Sequence, residues 1–74
     1  MKHIPVINSS NIASLAYDET TKVLEVKFQN GSHYAYDDVP PNAATSLLAT
    51  APDKDVSTGK HFNGMKGKYK FRKL

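Results

Sequence analysis

The chain has 74 residues, no cysteine and a formal net charge of +3. A single domain of that length buries only about 60% of the surface its unfolded form exposes. It has room for one small groove or a flat patch rather than a deep cofactor pocket, and an enzyme is not expected. Without cysteine there are no disulfides, thiolate zinc sites, iron–sulfur clusters or thiol nucleophiles. Secreted domains this small ordinarily need such staples, so a cytoplasmic location is expected. No apolar run approaches the roughly 18 residues of a membrane span. The opening Met1–Asn8 stretch is too short and broken for a signal-peptide core, and reads as an N-terminal extension of the domain.

Ile12–Tyr17 is a short apolar run closed by Asp18-Glu19-Thr20-Thr21, read as a strand and a turn. Lys22–Gln29 alternates, with Leu24, Val26 and Phe28 opposed to Val23, Glu25, Lys27 and Gln29. That pattern is a half-buried strand. Asn30-Gly31 is a strong hairpin signal, because both residues tolerate positive φ. Ser32–Asp37 then returns as the partner strand. Pro40-Pro41 breaks the sheet and suits a helix start. Ala44, Leu47, Leu48 and Ala51 follow at helical spacing, with Pro52 beyond the end. Residues 53–58 are polar and read as a loop insertion. Phe62 and Met65 fit a short helical turn between Gly59 and Gly67. Lys68–Leu74 alternates again, with Tyr69 and Phe71 opposed to Lys68, Lys70 and Arg72.

The expected fold is therefore α+β, a small two-layer single domain. It has an antiparallel sheet of about four strands, one main helix on one face, and a helical turn before the last strand.

The order and spacing of several landmarks carry a family resemblance. They are Ser10 with Ile12, Tyr17-Asp18, Leu24-x-Val26-x-Phe28, Gly31, Tyr34-x-Tyr36, Val39-Pro40, Phe62-Asn63 and Tyr69-x-Phe71. From about Ser9 to Phe71 the chain resembles the KTSC domain, a module named for the C-terminus of some lysyl-tRNA synthetases. The departure is Asp53–Val56, which looks like extra length. The synthetase context implies a role in RNA binding.

Charge is distributed unevenly. Residues 1–55 carry four cations and seven anions, a net −3, whereas residues 56–74 carry six cations and no anion. Such a basic end fits a polyanion or an acidic protein face. Side chains two apart on a strand share a face, so Lys68, Lys70 and Arg72 are expected as a row of cations facing water, with Tyr69 and Phe71 hidden. With Lys60, His61, Lys66 and Lys73 they form the candidate nucleic-acid-binding set. The competing reading is an edge strand kept from aggregating by its lysines.

Tyr34 and Tyr36 depend on the hairpin register. A two-residue Asn30-Gly31 turn puts them on the polar side as a stacking platform. A three-residue loop with Gly31 in a bulge puts them with Val26 and Leu24 instead. The second register sorts polar from apolar residues better and favours the core, with the surface register still open.

His3, His33 and His61 lie about 30 residues apart with no close partner in sequence, so no metal site is expected. His33 reads as a solvated strand residue. Ser9-Ser10 lacks a nucleophile elbow and reads as a strand start. Asp37-Asp38 closes a strand and favours the helix that follows. No phosphate-binding glycine loop is present, and no cofactor is expected. The functional expectation is a non-catalytic binding module, RNA foremost. The alternative is a protein-interaction module, such as a small phage-type regulator that docks on a host protein. Either would be a monomer or weak homodimer without membrane contact.

Overall fold

The computed structural model describes residues 3–74. Five strands, β1 (Ile4–Pro5), β2 (Ile12–Asp18), β3 (Val23–Phe28), β4 (His33–Tyr36) and β5 (Phe71–Lys73), pair antiparallel in chain order as a meander. Two helices, α1 (Pro41–Thr50) and α2 (Thr58–Met65), are followed by a 3₁₀ turn over Lys66–Lys68. The core gathers alternate residues of the sheet, among them Leu15, Leu24, Val26 and Tyr36, with Ala44 and Leu47 of α1 and Phe62 and Met65 of α2. The α+β two-layer arrangement is as expected, with β1 as an added edge strand.

The alternation in β3 works as the pattern implies: Leu24 and Val26 are fully buried while Glu25 and Lys27 face the other way. The hairpin takes the bulged register. Phe28 N–H donates to Ser32 O at 2.8 Å, and Gly31 sits at φ 92° with its N–H on Phe28 O. Val26 is thereby paired with Tyr34 and Leu24 with Tyr36, so both tyrosines lie on the helix-facing side.

Segment 4–8, read from the sequence as an extension, carries β1, the buried Val6 and a buckle at Asn8. The Asn8 amide donates to Thr50 O at 2.5 Å and Asp53 O at 2.6 Å, and its oxygen accepts from Thr58 N–H at 2.9 Å. One side chain thus ties the end of α1 to the start of α2. Ser57 caps α2 by accepting from Lys60 N–H. The helical turn foreseen between Gly59 and Gly67 is a helix of two turns that runs on into the 3₁₀ turn.

That continuation overturns the expected last strand. Lys68 belongs to the 3₁₀ turn, not to β5, and only Phe71–Lys73 forms ladder pairs with β4. Asp37 N–H on Lys70 O and Leu74 N–H on His33 O extend the pairing by one residue each way. A row of Lys68, Lys70 and Arg72 on one strand face does not form. Tyr69 packs against the core, but Phe71 is 61% exposed. Phe71 shares the helix-side face with its partner Tyr36, yet it lies on the outermost strand, where nothing covers it.

Two phenols ionise less readily in the fold than in free tyrosine. Burial, then the charges of Glu19 and Asp18, raises the Tyr17 pKa above its ordinary 10.0; its hydroxyl donates to Val39 O at 2.5 Å. Burial, then Tyr34, raises that of Tyr36. An acid whose pKa is raised on folding binds its proton more tightly in the native state, so the stability it contributes is complete below about pH 10. That stability is lost as pH rises through the folded pKa. Unfolding midpoints measured across this alkaline range are expected to fall, and to fall less steeply in Tyr36→Phe than in the wild type. Equal slopes for the two proteins would contradict the assignment.

Candidate functional site

Where α2 crosses the β3–β4 end of the sheet, an open groove of about 670 Å³ runs between them. Five aromatic rings line it: Phe28, Tyr34, Tyr36, Phe62 and Phe71. Period-two placement supplies Phe28, Tyr34 and Tyr36 from adjacent strands, and β5 adds Phe71 at the edge. Phe62 closes the floor from α2, at 3% exposure.

The rings form one edge-to-face network. Phe62 meets Tyr36 at 5.3 Å and Phe28 at 6.2 Å between centroids, and Tyr34 meets both Phe28 and Phe71 at 5.7 Å. Such contacts hold the rings in fixed orientations. Phe71 lies at 36° to Tyr36 with centroids 5.5 Å apart, and its outer face is open to water.

The lining also has a polar part, from Asn11, Gln29, Asn30 and Asn63. The Asn30 oxygen is already engaged, accepting from Ser32 N–H at 2.9 Å; the other three amides are exposed. Gly59 on this lining packs closely on Ser9: a Cβ there would lie 3.1 Å from Ser9 Oγ. No aspartate or glutamate is found among the described residues that line the groove, and Lys66 is the cation that reaches it. Flat π-faces, amide donors and acceptors, and a cation without a competing carboxylate suit a planar, polar, anionic ligand.

The nominated cations separate into four places. Lys66 lines the groove, and Lys73 pairs across from Tyr34 on the same sheet face. Lys68 and Lys70 are exposed on the lead-in to β5. Lys60 and His61 instead open onto a second depression with Thr50, Asp55, Val56 and Ser57. Arg72 pairs with Ala35, on the opposite face of the sheet, and its guanidinium lies 3.5 Å from Asp37 Oδ1. The cations predicted as a common surface are therefore divided, with Arg72 on the far face and Lys60 and His61 in a different depression. Ser10 lines the groove, whereas His61 lines the second depression. Ser9 Oγ serves the chain locally, accepting from Asn11 and Ile12 N–H.

Sequence reasoning missed Phe71 as a surface ring and Phe28 and Asn63 as groove residues. Only the register of β5 and the placement of α2 bring them together. On the opposite sheet face, His3 and His33, distant in sequence, both lie against Glu25.

A small antiparallel meander covered on one face by two helices, with an aromatic groove between the layers, is a two-layer α+β domain. The KTSC domain model matches residues 8–69, and the chain belongs to that family. A crystal structure of a KTSC domain protein from Yersinia pestis is similar, with TM-score 0.81 and 35% identity, covering 99% of this chain and 96% of that one. An uncharacterized protein of Stutzerimonas stutzeri is 40% identical over 63 residues, 85% of this chain and 80% of its own. A lysine–tRNA ligase of Nostoc punctiforme is 39% identical over 66 residues, which are 88% of this chain and 11% of the ligase. Among the described residues, no helix is long and apolar enough to cross a membrane.

Proposed function

We propose that the chain is a non-catalytic module that binds single-stranded nucleic acid, RNA foremost. Bases lie against Phe71, Tyr34 and Phe28, and phosphates run along Lys66, Lys68 and Lys73. The observation that carries this reading is a carboxylate-free aromatic groove beside a basic, anion-free end of the chain. Every base has a π-face, so stacking on fixed rings tolerates any sequence and contributes about 1–3 kcal/mol per base. The exposed amides of Asn11, Gln29 and Asn63 add hydrogen bonds to base edges. Support also comes from the relative that is a lysine–tRNA ligase, whose name states an RNA substrate.

Three phosphate contacts on a single strand give a log–log salt slope of about −2. Fluorescence anisotropy with single-stranded and hairpin RNA across a salt series measures that slope directly. Charge reversal at Lys66, Lys68 and Lys73 together is expected to abolish most of it. Unchanged affinity in that triple variant would rule the reading out. Partners that survive nuclease treatment in a pull-down would point instead to docking on an acidic protein surface.

A further inference from the structure

The sheet has a second face, away from the groove, and its side chains are placed by the same registers. Glu25 lies between Ala16 on β2 and Ala35 on β4, both about 1% exposed. Small residues on either side leave space above the sheet for longer neighbours to lean over Glu25. His33 reaches it diagonally from β4, with Nε2 2.9 Å from Glu25 Oε1. His3 reaches it from the chain just before β1, with Nε2 3.4 Å from the same oxygen. The three ligand atoms lie within 4.8 Å of one another, and the two imidazoles meet edge to face at 5.4 Å.

We propose that His3, Glu25 and His33 form a binding site for a divalent transition-metal ion, zinc foremost. Bonds of about 2.0–2.1 Å at tetrahedral angles separate ligand atoms by about 3.3 Å. The two nitrogen–oxygen separations, 2.9 and 3.4 Å, bracket that edge length. Two imidazoles and one carboxylate are the donor set of a three-ligand zinc site whose fourth position is left to water. The carboxylate offsets half the ion's charge, and the side chains of His3 and Glu25 are only 30% and 21% exposed, which shields the site partly from competing water.

A second layer supports it. His3 Nδ1 lies 3.1 Å from Ser14 Oγ. With the metal on Nε2, Nδ1 carries the proton and donates it to that hydroxyl, which fixes both the ring's tautomer and its orientation. The ligands come from β3, β4 and the residue preceding β1. An ion there cross-links three segments and anchors the shortest edge of the sheet, so metal binding adds to folding stability.

The test uses tag-free, chelator-treated full chain at mildly alkaline pH, titrated with zinc chloride by calorimetry and with cobalt chloride by visible absorption. One equivalent of zinc is expected at micromolar or tighter affinity, with an upward shift of Tm and the intense absorption of four-coordinate cobalt. Glu25→Gln and His33→Ala are expected to lose about 100-fold or more in affinity, and Ser14→Ala about tenfold. Far-ultraviolet circular dichroism confirms that each variant is folded. If Glu25→Gln does not fold, His3→Ala at the sheet edge decides the matter in its place. A cluster that serves only as a pair of hydrogen bonds to Glu25 gives no zinc-dependent Tm shift. That result, or wild-type zinc affinity in folded Glu25→Gln and His33→Ala, overturns the proposal.

Discussion

Phe62→Ala is expected to cost about 3–5 kcal/mol of folding stability. The ring is 3% exposed and is the contact through which α2 meets Phe28 and Tyr36 of the sheet. Its removal loses buried area and leaves a void that the other rings cannot fill, since each is held by its own edge-to-face contacts. At roughly 0.05–0.15 kcal/mol per residue a domain of this size holds about 4–11 kcal/mol in all, so the variant retains little margin. Urea denaturation should show a much lower midpoint at a similar slope. A loss below about 1 kcal/mol would mean that α2 is not anchored to the sheet through this ring.

Phe71→Ala should behave in the opposite way. With 61% of the residue already in water, truncation is expected to change stability by only about 0.5 kcal/mol. If bases stack on this ring, RNA affinity falls by about 5–150-fold, the equivalent of about 1–3 kcal/mol for one base. Measured side by side, the two phenylalanines separate the floor of the groove from its working surface. RNA binding that persists undiminished in Phe71→Ala would remove the aromatic wall from the interface. The lysines and the groove amides would then be left as the contacts, and most of the binding would depend on salt.

The register of the hairpin shows how little separates surface from core in such a domain. Both registers were legible in Gln29-Asn30-Gly31, and the bulged one sorted the residues better. What selects it is Gly31 at φ 92°, which lets Phe28 N–H reach Ser32 O. Tyr34 and Tyr36 then join the helix-side face, where Tyr36 is buried and Tyr34 remains half open as part of the groove wall. Tyr34 is both platform and core: it packs on one side and faces the groove on the other.

Local sequence determined the elements whose stabilising signals are themselves local. Alternation marked β3, the Asn-Gly turn marked the hairpin, and tandem proline with apolar positions three and four apart marked α1. Net charge by segment marked the basic end. Tertiary structure alone decided which residues meet. Seven residues alternating like a strand became a 3₁₀ turn and a short ladder, because α2 continued into Lys66–Lys68 and only Phe71–Lys73 found partners on β4. The groove rings come from β3, β4, α2 and β5, and His3 meets His33 through Glu25. Contacts between residues so far apart in sequence depend on strand register and on how the helices cross the sheet. Neither is encoded in any short window of the chain.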